Sequence, residues 1–304
     1  MKESSLRVKQ LKDSYKAPPP SFSFEFFPAK NADSIEKLKQ TVIKLAKYKP
    51  DYFSITYGAG GSTQDRTYDL VKYIKDNTKI PPAAHLTCVG AKKEETNAIA
   101  KEYLDIGVNR IVALRGDMPN FKGEYKPLEG GYAYASDLVE GLMGLGNFNI
   151  SVAAYPEGHP QADSIDSDIE YLKQKQDAGA TSAITQYCFD TDTILRFIDK
   201  ARKAGVTIPI IPGILTVSNF EQTISFSKGC GASIPDWVHN LYEGINGNQI
   251  TSDIISAQIA SEQCRVLMQE GINQLHFYTL NRHDVASAVF QILGMRANAE
   301  NVLP

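Results

Sequence analysis

The sequence lacks the features that mark a membrane, exported or nucleic-acid-binding protein. No apolar run in its 304 residues approaches the roughly 20 residues that a membrane-spanning helix needs. The first residues, Met-Lys-Glu-Ser-Ser-Leu-Arg, lead into no apolar segment of the kind found in signal peptides. The net charge is −3, which offers no basic surface to nucleic acid or to an anionic membrane. We therefore expect a cytoplasmic protein that binds neither nucleic acid nor a membrane.

Cysteine pairs and the common catalytic motifs are also missing. The four cysteines, Cys88, Cys188, Cys230 and Cys264, lie far apart and form no C-x-x-C pair, so we expect free thiols. No P-loop and no G-x-S-x-G segment occurs. No His, Cys and carboxylate residues have the spacing of a metal site, and His159 lies far from any cysteine or second histidine. We expect no metal ion.

What the sequence does contain is an alternation of strand-like and helix-like segments. The strand-like runs are 21–27, 51–57, 83–88, 110–115, 149–155, 182–188, 208–213 and 274–279. The helix-like stretches lie near 33–47, 64–77, 93–106, 135–145, 166–178, 190–204, 218–228, 251–270 and 283–292. Eight such pairs predict a TIM (β/α)8 barrel of the α/β class, with an open doubly wound sheet as the alternative.

No linker divides the chain, so we expect a single domain. Its predicted parts are an N-terminal arm over 1–20, a catalytic barrel over 21–296 and a C-terminal tail over 297–304. Two long Gly-rich loops are predicted at 118–134 and 229–250, and loops of this length are often functional.

The first strand-like segment carries the strongest indication of a function. Its period-2 pattern places Phe22, Phe24 and Phe26 on one face, with Ser23 and Glu25 on the other. A carboxylate that points into a protein interior is costly unless it is paired, solvated or used in the chemistry. Glu25 is therefore the first candidate for a functional residue.

The other predicted strands end in polar and titratable residues as well. In a (β/α)8 barrel the active site lies at the carboxyl ends of the strands. The residues at or near those ends are Glu25, Thr56, Tyr57, His85, Arg115, Asp117, Tyr155, His159, Gln186, Tyr278 and Arg282. Each alone is equally well explained as a solvated residue of the rim. Their joint occurrence predicts an active site.

Three local patterns leave alternatives open. Arg115 and Asp117 follow a buried strand, where the Arg can bind phosphate or pair with the carboxylate. Segment 58–61, Gly-Ala-Gly-Gly, is an incomplete dinucleotide motif, which we interpret as a βα turn that lets a ligand approach the backbone. Asp168, Tyr171 and Lys175 share a helix face, which is a solvated stripe unless a ligand lies over the neighbouring strands.

Nine ordered segments between about 20 and 296 carry a resemblance to a known family. They are Ser-Phe-Glu-Phe-Phe-Pro at 23–28, Thr-Tyr-Gly at 56–58, His-Leu-Thr-Cys at 85–88, Leu-Arg-Gly-Asp at 114–117, Tyr-Ala-Ser-Asp-Leu at 134–138, Val-Ala-Ala-Tyr-Pro-Glu at 152–157, Ile-Thr-Gln at 184–186, Pro-Gly-Ile-Leu at 212–215 and Phe-Tyr-Thr-Leu-Asn-Arg at 277–282. Together they resemble the 5,10-methylenetetrahydrofolate reductases in their short bacterial form.

The resemblance implies a cofactor, a reaction and an assembly. It implies non-covalent FAD, which NADH or NADPH reduces before leaving, so that methylenetetrahydrofolate can bind the same face and become 5-methyltetrahydrofolate for methionine synthesis. The short form favours NADH. The partners implied are these small molecules and further copies of the chain in a homo-oligomer. The cofactor supplies the hydride chemistry, and the protein supplies orientation and electrostatics.

The resemblance also implies roles for individual residues. Glu25 would be the general acid that protonates folate N10, since burial among aromatic side chains favours the protonated form of a carboxyl group. Asp117 would bind the pterin and stabilise the cation that forms when the ring opens. The other implied substrate residues are Gln186, Gln222, Phe226 and Arg282. The implied FAD residues are Thr56, Tyr57, Ala59, His85, Arg115, Gly116, Asp117, Tyr134, Ala135, Tyr155, His159, Ala162, Asp168, Tyr171 and Lys175.

Two other functions remain as alternatives. The first is a non-catalytic barrel subunit that binds flavin or folate, against which the presence of both Glu25 and Asp117 argues. The second is a different barrel enzyme, such as an aldolase or a sugar-phosphate isomerase. That enzyme would need a Schiff-base lysine or metal ligands at the strand ends, where the sequence offers neither clearly.

Overall fold

The computed structural model describes residues 19–58, 64–117, 125–245 and 247–298, in which parallel strands alternate with helices. The strands are β1 Ser21–Phe26, β2 Tyr52–Ile55, β3 Pro82–Thr87, β4 Arg110–Leu114, β5 Asn149–Ala154, β6 Ser182–Thr185, β7 Ile210–Ile211, β8 Gly213–Leu215 and β9 Gln274–Tyr278. The helices are α1 Ala32–Ala46, α2 Gln64–Asn77, α3 Lys93–Asp105, α4 Ala135–Leu145, α5 Ile165–Asp177, α6 Thr191–Lys203, α7 Phe220–Cys230, α8 Asp236–Tyr242, α9 Gln249–Gln269 and α10 Asp284–Ile292.

The sheet closes into the predicted (β/α)8 barrel through a broken seventh strand. Its order is β7-β6-β5-β4-β3-β2-β1-β9-β8, so that the two ends of the sheet, β7 and β8, are joined in sequence by Pro212 alone. Proline has no N–H to donate to a ladder. The next N–H, of Gly213, bonds to the side-chain Oγ1 of Thr185 at 2.9 Å. The predicted strand 208–213 is therefore two short strands on either side of the proline.

Close packing explains the glycine that follows the break. A Cβ atom at Gly213 would lie 2.3 Å from the carbonyl oxygen of Thr185 and 2.4 Å from the ring of Tyr278. A side chain at this position would force β8 away from its neighbours, so glycine is what allows the barrel to close here.

The two faces of β1 divide as the sequence pattern predicts. Phe22, Phe24 and Phe26 are buried in the layer between the strands and the surrounding helices. The ring centroids of Phe24 and Phe290 on α10 lie 5.3 Å apart, edge to face. Ser23 and Glu25 point to the opposite face, the inside of the barrel. The last helix of the barrel thus packs on the outer face of the strand that presents Glu25 to the interior.

One predicted loop is wrong, and several predicted element ends differ. Segment 229–250 contains helix α8, Asp236–Tyr242, whose Tyr242 ring stacks on Phe220 at 4.2 Å. Its seven residues are too few for helical periodicity to stand out among the flanking glycines.

Helix α1 is capped by Asn31, whose side chain accepts the N–H of Ser34. The predicted strands 51–57 and 182–188 end at Ile55 and Thr185, so that Thr56, Tyr57 and Gln186 lie in loops.

Two further observations concern the described residues alone. None of their helices is both long and apolar enough to cross a membrane. They also contain no group of three or more His, Cys, Asp or Glu side chains arranged to hold a metal ion. Most of the predicted arm and tail, 1–18 and 299–304, lies outside the described residues, and so does part of the predicted loop 118–134.

Candidate active site

Glu25 lies at the carboxyl end of β1, where the barrel opens, between two imidazole rings. Its Oε2 is 3.4 Å from Nε2 of His85 on β3 and 3.5 Å from Nε2 of His276 on β9. The side chain is 19% exposed, whereas both imidazoles are buried. Among the described residues, neither Nε2 atom has a hydrogen-bond partner. A small rotation of Glu25 would supply one, which makes this carboxyl the natural partner of both rings.

The His85 ring is uncharged at neutral pH. Burial lowers its pKa to about 4, against an opposing effect of Glu25 and with a smaller lowering effect of His276. A neutral imidazole offers either an N–H donor or a lone pair to the carboxyl group, and no positive charge. The surroundings of Glu25 therefore allow both of its protonation states to be hydrogen-bonded.

His276 is a site residue that the sequence reading missed. It faces Ser23 across the β1–β9 pair, and its Nδ1 lies 2.6 Å from the Ser23 hydroxyl. The period-2 pattern of β9 could have identified this residue. Phe277 points to the outer core, so the residues on either side of it, His276 and Tyr278, must point into the barrel. Which strand this histidine would face could not be read from the sequence, since strand register is a property of the closed barrel.

The segment after β9 locks the end of β1 in place. Thr279 donates from its Oγ1 to the carbonyl oxygen of Glu25 at 2.8 Å. Asn281 accepts the N–H of Phe27 at 3.0 Å and donates to its carbonyl oxygen at 2.7 Å. Leu280 and Asn281 have φ angles of 50° and 60°, a backbone region that costs non-glycine residues energy. The hydrogen bonds to Glu25 and Phe27 hold the segment in this backbone conformation. The same bonds fix the direction in which Glu25 points.

Arg282, at the end of the same segment, is held by acidic side chains. Its Nη2 lies 3.0 Å from Oδ2 of Asp253 on α9 and 3.5 Å from Oδ2 of Asp284. The side chain is one-third exposed. It can therefore reach a ligand only by sharing its donors with this pair, and Arg has enough donors to do so.

The backbone that follows β4 passes close to the residues at the end of β3. Gly116 has a φ of +83°, and a Cβ there would lie 2.8 Å from both Thr87 and Val89. The guanidinium of Arg115 covers the ring of Tyr125 at 4.5 Å and donates to Oε1 of Gln161 at 2.6 Å. Arg115 thus reaches from β4 to the segment after β5. An ion pair with Asp117, one of the two alternatives left open by the sequence, is absent from the described contacts. The Asp117 side chain is exposed.

A cluster of charged and aromatic residues follows β5. Asp168, in the first turn of α5, accepts the N–H of His159 at 2.5 Å. Burial lowers the pKa of His159, and Arg115 lowers it further. Tyr155 packs edge to face on the His159 ring at 4.7 Å, and burial raises its pKa to about 12. Both groups are therefore neutral at pH 7.

Lys175 joins this cluster from two turns further along α5. It donates to the carbonyl oxygen of Ala153 on β5 at 2.6 Å, and burial lowers its pKa to about 8, with Asp168 opposing the shift. The predicted helix face is therefore divided. Asp168 and Lys175 point to the end of β5, whereas Tyr171 is 50% exposed.

The predicted substrate residues on the far side of the opening lie after β6 and on α7. Gln186 follows β6, and its Oε1 accepts the N–H of Tyr187 at 3.0 Å. Gln222 and Phe226 lie one turn apart on α7, with Phe226 54% exposed. An exposed aromatic ring beside a cluster of polar groups is able to stack on a planar ligand.

Those of the other predicted cofactor residues that the structure describes lie around the same opening. Thr56 and Tyr57 follow β2, and the Tyr57 hydroxyl donates to Gln64 at 3.3 Å. Tyr134 precedes Ala135 at the start of α4 and is 53% exposed. Ala162 follows β5. Ala59 lies outside the described residues.

Comparisons with known proteins give one consistent result. A family model described as methylenetetrahydrofolate reductase matches residues 10–294. Proteins named 5,10-methylenetetrahydrofolate reductase from Escherichia coli K12 and from Pectobacterium carotovorum are each 43% identical over 90% of this chain and 90% of their own. The protein of that name from Buchnera aphidicola subsp. Schizaphis graminum is 45% identical over 90% and 91%.

A solved structure also has the same fold. It is described as an uncharacterized protein from Clostridium thermocellum that binds two copies of 5-methyl-5,6,7,8-tetrahydrofolic acid. It matches 93% of this chain and 98% of its own with a TM-score of 0.63 and 16% identity. At this identity the likeness concerns the fold alone.

Proposed function

Since the chain belongs to the methylenetetrahydrofolate reductase family, a family of oxidoreductases, we propose that it reduces 5,10-methylenetetrahydrofolate to 5-methyltetrahydrofolate with FAD as cofactor and NADH or NADPH as reductant. The observation that carries the proposal is the position of Glu25. A partly exposed carboxyl group stands at the barrel opening with two imidazole Nε2 atoms within 3.5 Å. That is the place and the chemistry of a general acid.

The residues around the opening fit a flavin cofactor. Two buried polar atoms on the inner face of β3, His85 Nε2 and Thr87 Oγ1, have no hydrogen-bond partner among the described residues. Arg115 and Lys175 supply cationic donors of the kind that bind a diphosphate. Tyr134 and Tyr171 are exposed aromatic rings, and Tyr171 lies one turn from Lys175 on α5. Unpaired polar atoms, cations and exposed rings together are what a flavin dinucleotide would need.

The residues that would hold FAD are the predicted ones. Arg115, His159 and Lys175 would bind the anionic part, with Asp168 orienting His159. Gly116 would let the ligand approach the backbone after β4, because no side chain fits there. When bound, the flavin would supply the hydride for reduction of the folate.

Glu25 would supply the proton. Cleavage of the bond between the methylene carbon and N10 leaves an electron pair on N10, which takes the proton of Glu25. Asp117 would bind the pterin and face the cation that this step creates, while Gln186, Gln222, Phe226 and Arg282 would position the folate. The exposed Phe226 would stack on the folate or on the nicotinamide in turn, which suits a ping-pong reaction in one pocket.

The test is the visible absorption spectrum of the purified protein, followed by anaerobic addition of NADH and then of methylenetetrahydrofolate. We expect a flavin spectrum that bleaches with NADH and recovers with the folate. A colourless protein that takes up no added FAD would contradict the cofactor assignment. Bleaching without recovery would mean that the second substrate is another compound. A flavin that neither bleaches nor recovers would favour the non-catalytic barrel subunit.

A further inference from the structure

A line of polar side chains runs from Glu25 through the barrel towards its N-terminal end. Nε2 of His276 lies 3.5 Å from Oε2 of Glu25, and Nδ1 of the same ring lies 2.6 Å from the hydroxyl of Ser23. Ser23 is 2% exposed and His276 is fully buried, so this line lies inside the barrel. An imidazole with a polar partner at each nitrogen can take a proton at one and release a proton at the other.

The line ends at a cavity on the face opposite the candidate active site. This cavity, of about 430 Å³, lies at the amino ends of the strands, and Ser23 is one of its lining residues. Its other polar lining groups include Tyr52, Arg110 and Asn149. A cavity of this size with several polar groups is able to hold water.

Other polar and titratable groups face the line from the neighbouring strands. Tyr52 on β2 lies over the His276 ring at 6.1 Å between centroids. Burial raises the pKa of Tyr52, Ser23, Arg110 and Ser151 lower it, and Asp51 at the cavity raises it slightly. Tyr278 on β9 has a pKa raised by burial and then by Glu25. Arg110 on β4 covers the Tyr52 ring at 4.7 Å. His85 on β3 is neutral, and among the described residues its ring has no bond to a cavity-lining group.

We propose that Glu25 regains its proton from water in this N-terminal cavity through Ser23 and His276. The proposal rests on the proposed function, in which Glu25 loses one proton to N10 for each folate reduced. Nε2–H of His276 then gives its proton to Oε2 of Glu25, the Ser23 hydroxyl gives its proton to Nδ1, and water in the cavity restores the hydroxyl. One proton leaves the water, whose hydroxide passes to the solvent, and one proton arrives at Glu25. The His276 proton has then moved from Nε2 to Nδ1 and must return before the next turnover.

Such a route has a purpose because two ligands would cover the other face. With cofactor and folate over the opening, Glu25 would have little contact with bulk water when it becomes a carboxylate. A route through the barrel lets the acid recover before the product leaves. His276 and Ser23 are therefore positioning residues that act through Glu25.

The test measures proton uptake and flavin reoxidation together. Reduced enzyme is mixed with methylenetetrahydrofolate in weak buffer with a pH indicator, in a stopped-flow instrument. For the wild type we expect uptake to keep pace with reoxidation. For Ser23→Ala we expect the first reoxidation to stay within about twofold and uptake to lag at least tenfold, and for His276→Gln we expect uptake to lag as well. Gln keeps a hydrogen-bond donor near the Nε2 position but cannot relay a proton.

Matched controls separate the route from damage to the barrel. Ser151→Ala removes another buried hydroxyl, which is bonded to Ser182 at 2.8 Å, and should leave uptake unchanged. Ser23→Thr keeps the hydroxyl and should restore uptake. Unchanged uptake in Ser23→Ala would overturn the proposal, whatever His276→Gln does. If no folate reoxidised the reduced flavin of the wild-type protein, the proposed function itself would be overturned.

A second readout needs no turnover. The five histidines can be labelled with 15N in the cofactor-free protein, and the signals of His276 are identified by their loss in His276→Gln. We expect Ser23→Ala and Glu25→Gln each to change the distribution of the His276 proton between its two ring nitrogens. Ser151→Ala should leave it unchanged. His276 signals that are the same in all four proteins would contradict the link between Ser23, His276 and Glu25.

Discussion

The two sides of the barrel opening are built in different ways. The β1 side, which we define as Glu25, His85 and His276, consists of strand side chains, and both of its imidazoles are buried. The β5 side, defined as Arg115, His159, Asp168 and Lys175, lies on segments after β4 and β5 and on α5. Buried imidazoles on strands, beside a carboxyl group, suit the transfer of a proton. Charged groups on loops and a helix suit the binding of an anionic ligand. The two sides should therefore fail in different ways when they are changed.

The largest effect should come from Glu25→Gln on the β1 side. Without its acid, folate reduction should fall by roughly 10²–10⁴-fold. FAD content and the rate of NADH oxidation should stay near those of the wild type, because no β5-side residue is altered. Rapid-mixing measurement of each half-reaction separately tests this. An equal loss in both half-reactions would remove the distinction between the two sides and the assignment of Glu25 as the acid.

Lys175→Ala should produce the opposite pattern. Loss of a charged hydrogen-bond donor costs about 1.5–3 kcal/mol, so FAD should bind roughly 10- to 100-fold more weakly. Both half-reactions should fall together and recover in excess FAD. His159→Ala should loosen FAD in the same way.

The neighbouring Lys173 provides the control for Lys175. It lies on the same helix and forms its ion pair with Asp177, away from the opening. Lys173→Ala should leave FAD affinity unchanged, as measured by flavin fluorescence during titration. If Lys175→Ala retained FAD as the wild type does, or if Lys173→Ala lost it equally, the β5 side would not be the FAD site.

FAD binding at the β5 side should also depend on pH. The pKa of Lys175 is lowered to about 8, so without ligand the amine loses its charge as the pH rises through 8. An anionic ligand favours the charged form, and FAD affinity should therefore fall above pH 8 by at most about tenfold per pH unit. Lys175→Arg, which keeps its charge, should remove this dependence in titrations from pH 7 to 10. An equal slope in the Arg variant would assign the dependence to another group.

The same division of the opening explains what the sequence could predict. The β1 face was predictable because a period of two is visible in six residues, and Phe24 and Glu25 behave accordingly. The barrel followed from the alternation of strands and helices. The FAD residues came from family resemblance, and their roles remain predictions. His276 and Arg282 show the limit, since their partners Ser23 and Asp253 are remote in sequence and depend on strand register and on the packing of α9.

The break in the seventh strand shows a second limit. Pro212 is visible in the sequence, but a proline at the end of a predicted strand is equally compatible with an intact edge. Only closure of the barrel gives the two halves different partners, β6 for β7 and β9 for β8. The short helix α8 was missed for a related reason. Its stability comes from the stacking of Tyr242 on Phe220, a contact between elements that no local pattern predicts.

The substitution Asp117→Asn should have the smallest effect. It tests whether a residue after β4 takes part in the chemistry at Glu25. Asp117 follows β4, and its side chain is exposed, so Asp117→Asn should change the free energy of unfolding by less than about 0.5 kcal/mol. If Asp117 binds the pterin, folate turnover should fall roughly tenfold, as expected for the loss of one charged hydrogen bond. NADH oxidation should change less. Thermal unfolding and the two half-reactions measured on one preparation decide this. A variant that unfolds, or that keeps full folate turnover, would contradict the site role of Asp117. The chemistry would then belong to the β1 side, where Glu25 would act without a carboxylate from the segment after β4.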